Sequence, residues 1–309
     1  MSGTPVIQHV AIIGLGLLGG SIGLAIAKHA PGIATTGYDT DPATREKARE
    51  RELVGTVLDS AAEAVAAADL VILCVPVGAM GFAAEAICDA LPAGAIISDV
   101  GSSKQSVADA LKAALPDHCI IPAHPVAGTE QSGPDAGFAE LFEHRWCILT
   151  PADDAPTEAV DALSRFWTGL GSNVELMGAE HHDLVLAVTS HIPHLIAYTI
   201  VGTASDLEDV TRSEVIKYSA GGFRDFTRIA ASDPTMWRDV FLTNKDAVLE
   251  MLGRFTEDLT ALQRAIRRGD GDALHDLFTK TRAIRRSIIE QGQDDARPDF
   301  GRSDHSGDH

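Results

Sequence analysis

The chain has 309 residues, of which 45% are hydrophobic and 22% are charged, proportions typical of a folded protein with one large domain or two smaller ones. They exclude a chain that is mostly disordered or fibrous. The formal net charge of -19 disfavours nucleic acids and anionic membrane surfaces as general partners, because those partners are themselves negatively charged.

Four cysteines are spread along the chain without any CxxC pair. This spacing argues against a zinc site or a disulfide framework, and we expect buried thiols in a reducing, cytoplasmic compartment. The apolar run 10–27 is long enough to resemble a membrane span. It contains five glycines, and no cluster of Lys or Arg precedes it, so we expect no membrane insertion.

Short β-rich runs alternate with helical stretches from residue 6 to about residue 177. This alternation is the pattern of a mostly parallel sheet flanked by helices, an α/β fold. The run 70–75 is apolar without alternation, as expected of a central strand covered on both faces. The predicted strands are 6–14, 34–39, 70–75, 95–99, 119–123, 146–149 and 173–176, with a weaker candidate at 55–58.

The first predicted strand ends in the glycine pattern GxGxxG, at Gly14, Gly16 and Gly19, and runs directly into an apolar helix. In a strand-turn-helix unit these glycines form a tight turn, let the backbone approach a pyrophosphate and let helix and strand pack closely. Asp39 ends the second strand, where a carboxylate binds the ribose hydroxyls and repels the 2′-phosphate of NADP. We predict a Rossmann-type NAD-binding domain over residues 1–177.

Two details of this cofactor site stay open. Asp41 could share the role of Asp39, and the alternative interpretation is a glycine-rich helix start followed by a capping Asp. The turn at Val75 and Pro76 follows a central strand, at the carboxyl edge where ligands bind in such sheets. The predicted cofactor-binding residues are Gly14, Gly16, Leu17, Leu18, Gly19, Asp39, Val75 and Pro76.

Two segments beside predicted strands carry reactive side chains. Ser102 follows the strand 95–99 and is expected to point its hydroxyl into the crevice, with Ser103 as the competing candidate; either could also be a helix N-cap. His124 follows the strand 119–123. Oxidation of an alcohol needs a group that takes the hydroxyl proton as hydride leaves, and an imidazole titrates near working pH. We predict that His124 is this group, against the simpler alternative of a structural histidine.

The β pattern ends after residue 177, and apolar residues then recur at helical spacing through 179–205, 234–267 and 272–291. We predict an all-helical domain over residues 178–291 whose apolar stripes pack against a second copy, which gives a homodimer. Residues 292–309 are rich in Asp, Gly and Ser without an apolar run, and we predict that they form a disordered tail.

Polar groups interrupt the first of these helices. After the run 181–183 come His191 and His194, which share a helix face, and Pro193 between them frees a carbonyl, which suggests a cavity. The pair lacks a clear partner carboxylate at ligand spacing, so we expect no metal. The arginines that could bind an acidic substrate bidentately are Arg224, Arg228 and Arg238, and the sequence does not choose among them or exclude that they are surface residues.

Taken together, five segments resemble the prephenate and arogenate dehydrogenase family of tyrosine biosynthesis, and the resemblance covers residue 6 to about residue 291. The segments are GLGLLGGS at 14–21, DVGSSK at 99–104, HPVAGTE at 124–130, SHIPH at 190–194 and GFRDFTR at 222–228. The resemblance implies NAD-dependent oxidative decarboxylation of prephenate, of arogenate or of both. Hydride leaves the ring carbon that bears the hydroxyl, the ring carboxylate departs as carbon dioxide, and an aromatic ring forms.

The resemblance also implies a role for individual residues. His124 would hydrogen-bond the ring hydroxyl and draw off its proton, assisted by Ser102. The substrate-binding residues would be Arg228 for the carboxylate, His194 near the side chain, His191 lining the pocket, Glu130 and Trp237 at the rim, and Asp225 orienting the site. An arginine such as Arg228 is needed because a dianionic substrate has to enter a protein of net charge -19.

Two rival interpretations remain. One is another two-domain oxidoreductase of the β-hydroxyacid or imine type; such enzymes commonly use a helix-borne Lys, which the helix 179–205 lacks. The other is a regulatory protein that senses NAD without turnover. The sequence also leaves open whether prephenate or arogenate is preferred, and Glu130 and Gln131 are the candidates for that choice.

Overall fold

The computed structural model describes residues 7–129, 131–206 and 221–290. Over these residues the chain divides into the compact units Met1–Met251 and Leu252–His309, and the division falls inside a long helix. The domain boundary predicted between residues 177 and 178 stays a prediction. Every residue of the candidate site described below belongs to the first unit.

Within the described residues, six strands form one parallel sheet in the order β3-β2-β1-β4-β5-β6. Helices follow the strands along the chain, as the α/β prediction required. The strands are β1 His9–Ile13, β2 Ala34–Tyr38, β3 Thr56–Val57, β4 Leu70–Leu73, β5 Ile96–Asp99 and β6 Cys119–Ile120. The helices of this half are α1 Leu17–His29, α2 Pro42–Glu50, α3 Ala61–Val65, α4 Met80–Glu85, α5 Gln105–Ala114 and α6 Thr157–Gly169.

Alternate residues of the central strands face opposite sides of the sheet. Leu70 and Ile72 of β4 belong to one apolar core, and Val71 and Leu73 belong to the other. Both faces of β4 are therefore buried, which explains its apolar sequence without alternation. Polar side chains are left to the strand ends, such as Asp99 at the end of β5.

A second sheet of three strands follows in the described part of the chain, in the order β7-β8-β9. Its first pair is antiparallel and its second pair is parallel. The strands are β7 Ala123–Pro125, β8 Trp146–Leu149 and β9 Asn173–Leu176. The last two strands have the bounds that the sequence predicts.

The single strand predicted at 119–123 is wrong, because this stretch divides between the two sheets. Pro122 lies between β6 and β7 and has no N–H to donate to a ladder. Its carbonyl accepts a hydrogen bond of 2.9 Å from the Thr150 N–H, which follows β8. His124 is consequently the middle residue of β7 rather than the residue after a strand.

The second half of the described chain is helical, as predicted. The stretch predicted at 179–205 is continuous and consists of α7 Ala179–Leu186, a π-helical turn Ala187–His191 and α8 Ile192–Ser205. The helix predicted at 234–267 is wrong in one respect, since Asn244 interrupts it. The remaining helices are α9 Gly221–Thr227, α10 Pro234–Thr243, α11 Lys245–Arg268 and α12 Gly271–Glu290.

One helical stretch among the described residues, Ala179–Ser205, is long and apolar enough to cross a membrane, with a mean hydropathy of 1.6. It is not the run 10–27 that the sequence suggests. Length and composition are weak evidence for a span, because a core helix of a soluble protein meets the same criteria. The stretch also carries the buried polar residues His182, Asp183 and His191.

Candidate active site

The glycine-rich turn between β1 and α1 has the geometry that dinucleotide binding requires. Gly14 has a φ of +98°, and a Cβ at this position would collide with the carbonyl oxygen of Cys74. A Cβ at Gly19 would collide with the carbonyl of Gly14, so α1 and β1 approach closely only without a side chain there. No atom lies within 4 Å of a Cβ built on Gly16, which leaves open space at the N-terminus of α1. The turn therefore fits the phosphates of a dinucleotide.

Asp39 lies beside this turn, directly after β2. Its Oδ2 accepts a hydrogen bond of 2.9 Å from the Leu15 N–H, and its Oδ1 accepts one of 2.9 Å from the Asp41 N–H. These bonds hold the carboxylate against the turn and leave lone pairs for two hydroxyl groups. Asp41 instead caps α2, since its carboxylate accepts from the Ala43 and Thr44 N–H groups. The geometry therefore favours Asp39 as the ribose-binding residue.

The other predicted cofactor residues surround the same turn. Leu17 and Leu18 begin α1 and are half-buried. Val75 follows β4, and its side chain lies next to Gly14. Pro76 is exposed and precedes a short 3-10 turn. Their placement agrees with a dinucleotide at this edge, and their individual contacts stay a prediction.

His124 is the first of three side chains that are joined by hydrogen bonds in the interior. Its Nδ1 lies 2.9 Å from Nε2 of His182, and Nδ1 of His182 lies 2.9 Å from Oδ1 of Asp183. Asp183 also accepts hydrogen bonds from the backbone N–H groups of Lys104, at 2.7 Å, and Gln105, at 3.0 Å. His182 is completely buried, whereas 5% of Asp183 and 8% of His124 are accessible. The Asp183 carboxylate is occupied by His182 and by two backbone N–H groups, so His124 is the member that is open to a substrate.

The Asp183 carboxylate determines which nitrogen of each ring carries the proton. A carboxylate only accepts hydrogen bonds, so His182 carries its proton on Nδ1 and accepts at Nε2. Nδ1 of His124 must then donate to this Nε2, which leaves a lone pair on Nε2 of His124. The three side chains thus present a proton acceptor at their accessible end.

The pKa values keep both rings neutral. Burial lowers the pKa of His124 well below its usual range, and His182, Lys104 and His191 act in the same direction. Burial likewise lowers the pKa of His182, against the opposing effect of Asp183. Burial alone would raise the pKa of Asp183, but hydrogen bonds from His182 and from two backbone N–H groups keep it below its usual value. A neutral imidazole next to an imidazole–carboxylate pair is the state that can accept a proton.

Asn244, at the interruption between α10 and α11, connects this group to the π-helical turn. Its Nδ2 donates a hydrogen bond of 2.8 Å to the Asp183 carbonyl and lies 3.1 Å from Nδ1 of His191. An amide N–H directed at Nδ1 leaves the proton of the neutral ring on Nε2. Burial lowers the pKa of His191 to about 4, so this ring is neutral. His191, predicted to line the pocket, therefore lies in the same polar cluster as His124.

His194 and Trp237 form a second, adjacent feature. Their rings stack with centroids 3.6 Å apart, and His191 meets the same Trp237 ring edge-on at 6.0 Å. Nδ1 of His194 donates to the Ser190 carbonyl at 2.8 Å, which leaves Nε2 as an acceptor. Burial lowers the pKa of His194, and the Arg228 guanidinium lowers it further. Arg228 therefore lies within electrostatic reach of the stacked rings.

The three candidate arginines differ in their surroundings. Arg224 is exposed and lies 3.5 Å from Asp225, and Arg238 contacts Asp239 at 2.6 Å. Arg228 acts electrostatically on the ring of His194, a predicted substrate-binding residue. The structure thus favours Arg228 as the substrate cation. Asp225 is itself 64% exposed, and its predicted role in orienting the site stays a prediction.

The two candidate serines also differ. Ser103 is completely buried, and its Oγ lies 2.8 Å from Oγ1 of Thr243. Ser102 is half-buried, and its main chain lies beside the His191 ring. The capping alternative for either serine is wrong, because α5 begins after Lys104 and has no side-chain cap. Ser102 is thus the serine nearer to accessible space, and its assistance to His124 stays a prediction.

One predicted site residue has no described position. Glu130, predicted at the rim of the site, lies outside the described residues, as does the tail 292–309. Among the residues that the structure describes, no group of three or more His, Cys, Asp or Glu side chains could hold a metal ion.

Three members of the cluster are not among the predicted site residues. His182 and Asp183, in the run 181–183, have no predicted role, and neither has Asn244. One signal was available for the first two, since adjacent His and Asp residues open an otherwise apolar helix. No local signal marks Asn244, because its role depends on contacts with residues more than fifty positions away.

Two family models match most of the chain. The family model of the prephenate dehydrogenase nucleotide-binding domain matches residues 22–176, and that of the prephenate dehydrogenase dimerization domain matches residues 178–280. The chain is 46% identical to cyclohexadienyl dehydrogenase from Zymomonas mobilis over 283 residues, which cover 92% of this chain and 97% of that protein.

Solved structures give the same result. The crystal structure of prephenate dehydrogenase from A. aeolicus, in complex with hydroxyphenyl propionate and NAD+, is 32% identical with a TM-score of 0.85 and covers 93% of this chain and 100% of that one. Synechocystis arogenate dehydrogenase is 26% identical with a TM-score of 0.77, and covers 91% of this chain and 99% of that one. The resemblance of the five sequence segments is confirmed: this chain belongs to the prephenate dehydrogenase family.

Proposed function

We propose that this protein is an NAD-dependent dehydrogenase of tyrosine biosynthesis that oxidatively decarboxylates prephenate, arogenate or both. The observation that carries the proposal is the hydrogen-bonded series His124, His182 and Asp183, which ends in a proton acceptor. Relatives named cyclohexadienyl, prephenate and arogenate dehydrogenases support the substrate class, and a relative in complex with NAD+ supports the cofactor.

The reaction requires three events at one cyclohexadienol. Hydride leaves the carbon that bears the hydroxyl, the ring carboxylate leaves as carbon dioxide, and the bonding electrons of that carboxylate enter the ring. Bound NAD supplies the hydride acceptor. Nε2 of His124 accepts the hydroxyl proton while the oxygen gains carbonyl character, and returns it as the ring becomes a phenol. No proton is gained or lost overall.

His182 and Asp183 act on this step through His124. They hold its imidazole in the tautomer that accepts at Nε2, and the Asp183 carboxylate stabilises the positive charge that the rings gain during proton transfer. Because burial keeps His124 neutral, the acceptor is available at neutral pH. The pair therefore consists of positioning residues rather than residues that touch the substrate.

The residues that bind the substrate are Arg228 and His194, which lie beside this hydrogen-bonded series. The guanidinium of Arg228 suits a carboxylate, which it can bind with two parallel hydrogen bonds. Nε2 of His194 is free to accept a hydrogen bond from the substrate, and the ring of His194 is held in place by Trp237. These groups support the binding of a dianion in a protein of strongly negative net charge.

The glycine-rich turn and Asp39 fit NAD better than NADP. The open space at Gly16 accommodates the pyrophosphate, and the carboxylate of Asp39 repels a 2′-phosphate. Within the described residues, the hydrogen bonds to the Asp39 carboxylate come from backbone N–H groups, and the nearby Arg45 guanidinium bonds the Asp39 carbonyl instead.

A homodimer in the cytoplasm completes the proposal. The dimerization-domain match supports it, and so do large apolar side chains that α11 and α12 leave exposed in the single chain. Such residues lower the free energy of association when a partner covers them. The exposed residues include Leu259, Ile266, Phe278 and Ile284.

The test is a steady-state assay of the purified protein with prephenate and arogenate, each with NAD and NADP. We expect turnover with NAD, and we expect His124→Asn to lower kcat about 10²–10⁴-fold while the Kd for NAD stays unchanged. His144→Asn is the matched control, because that histidine lies in a turn away from the cluster. Tight NAD binding without turnover of either substrate would indicate the sensing protein instead.

A further inference from the structure

Asp99 and Lys104 form an ion pair that no part of the mechanism above uses. Both side chains have no accessible surface, and Nζ of Lys104 contacts Oδ2 of Asp99. The carboxylate is also hydrogen-bonded by the Gly101 N–H, at 2.7 Å. Burial raises the pKa of Asp99 and lowers that of Lys104, and the attraction between the two groups offsets each shift only in part. Because the Gly101 N–H, the Ala123 N–H and Nζ of Lys104 all donate to Asp99, this group is held as a carboxylate and Lys104 as an ammonium.

The two charges hold the backbone of the residue before His124 from both sides. Nζ of Lys104 donates a hydrogen bond of 2.7 Å to the Ala123 carbonyl. Oδ1 of Asp99 accepts one of 3.2 Å from the Ala123 N–H. Ala123 is the first residue of β7, and a short edge strand gains orientation from such contacts. The position of His124 is therefore set by the ion pair as well as by its ladder with β8.

Lys104 and its neighbour Gln105 also position His124 through Asp183. The backbone N–H groups of Lys104 and Gln105 bind the Asp183 carboxylate, which in turn holds the His182 ring against His124. Lys104 thus makes two contacts that position His124. Its side chain bonds the backbone of β7, and its N–H bonds the Asp183 carboxylate. A displacement of Lys104 would disturb both contacts together.

Stability is a weak explanation for this arrangement. A buried ion pair loses as much by desolvation as it gains by attraction, and apolar replacements of similar volume are often neutral or stabilising. What a charged pair provides is direction: an ammonium requires acceptors, a carboxylate requires donors, and Ala123 supplies one of each.

We propose that Asp99 and Lys104 are positioning residues for the catalytic histidine: they hold β7 so that His124 faces the substrate, and they place an ammonium group against the backbone next to its ring. This proposal rests on the proposed function, since it gives His124 the role of proton acceptor.

The electrostatic part depends on all groups around the His124 ring. His182 faces it from α7 with Asp183 behind, His191 acts on it from the π-helical turn, and Lys104 bonds the backbone of β7 at Ala123. The Cys147 thiol of β8, on the neighbouring strand, is kept neutral because burial raises its pKa. Lys104 is the cation among these groups, and its charge disfavours a second positive charge on His124.

The experiment compares Lys104→Met and the double variant D99N/K104M with the wild-type dimer. Met keeps the length of the Lys side chain, and the amide oxygen that D99N introduces can still accept from the Ala123 N–H. We expect kcat to fall about tenfold or more in both, since a shift of the proton acceptor by an ångström is costly. We also expect the acidic limb of kcat/KM to move to higher pH, while KM for NAD stays unchanged.

The pH readout separates this role from a structural one, because loss of packing would lower activity without moving the titration of His124. Lys112→Met is the control, since this lysine is exposed on α5 and should leave every readout unchanged. NMR titration of 13C-labelled histidine rings, with the His124 signal assigned from His124→Asn, measures the same pKa without turnover.

Three results would overturn the proposal. They are an acidic limb and a His124 titration that coincide with wild type, a shift to lower pH, or loss of folding in both variants, which would make the pair structural. If the wild-type protein turned over neither substrate, the proposed function would fail, but the NMR titration would still report on the effect of Lys104 on His124.

Discussion

The cofactor turn and the histidine cluster are built in opposite ways. The turn is local: its glycines and Asp39 all come from residues 14–39, and its function depends on backbone conformation and on empty space. The cluster is assembled from β7, α7, the π-helical turn and Asn244, and the hydrogen bonds between these parts join residues 53 to 61 positions apart. Its function depends on which nitrogen carries a proton.

This difference predicts how each region fails. A change in the turn should weaken NAD binding and leave the chemistry of bound substrates intact, because the cluster shares none of its side chains. A change in the cluster should lower the rate and leave NAD binding intact. The variants below test this separation, starting with the largest expected effect.

Asp183→Asn should break the cluster alone. An Asn amide can donate to Nδ1 of His182, which reverses both hydrogen bonds and leaves the proton on Nε2 of His124. We expect kcat to fall about 10²–10⁴-fold, as a reversed tautomer does in the Ser-His-Asp triad. Steady-state kinetics measure the fall, and Asp161→Asn, on the exposed face of α6, is the control. A kcat close to wild type would mean that the tautomer is not set by Asp183.

Arg228→Gln should act on the substrate without touching either the turn or the proton acceptor. A charge-assisted, bidentate contact is lost, so we expect KM for prephenate or arogenate to rise about thirtyfold or more, with a smaller change in kcat. Arg238→Gln is the matched control, because Arg238 pairs with Asp239. Equal effects of the two substitutions would contradict the choice of Arg228 over the other arginines.

Gly16→Ala should break the turn alone. The added Cβ enters space that the protein leaves empty, so the fold is expected to persist while the pyrophosphate loses its close approach to the backbone. We expect the Kd for NAD to rise about tenfold, measured by fluorescence titration, with an unchanged pH profile. Gly32→Ala fills a comparable empty position away from the turn. An unaltered Kd would show that the cofactor does not approach Gly16.

The pH dependence of the wild-type protein tests the contrast between the cofactor turn and the histidine cluster without any substitution. Because burial lowers the pKa of His124, the ring stays unprotonated as pH falls through the usual histidine value of about 6.5. We expect kcat/KM to persist below this value and to decline only at more acidic pH. The Kd for NAD should not follow this decline. An acidic limb at or above pH 6.5 would indicate a solvated acceptor.

Local patterns account for what the sequence could predict. The glycine spacing, the apolar run of β4 and the strands at 146–149 and 173–176 follow from residue types within one element, and the structure has them in place. His124 is selected by its residue type and by the segment around it, although the strand predicted at 119–123 is wrong and the residue lies within β7. Its role at the site stays a prediction.

The predictions from sequence are wrong or incomplete where tertiary contacts determine the structure or the role of a residue. Pro122 divides one predicted strand because its neighbours join different sheets, which the β pattern does not reveal. Asn244 interrupts a predicted helix because its amide binds Asp183 and His191, and His182 gains its role from a residue 58 positions away. Such partners become visible only after the chain is folded.

The π-helical turn Ala187–His191 changes how the helix Ala179–Ser205 presents its histidines. In a regular α-helix His182 and His191, nine positions apart, would point in directions about 180° apart. One additional residue in the turn reduces this angle to about 80°, and the His191 ring and the Asp183 carbonyl, next to His182, both bond the Asn244 amide. Deleting a single residue from the turn would rotate His191 and everything after it, Pro193 and His194 included, away from the rings that α7 presents.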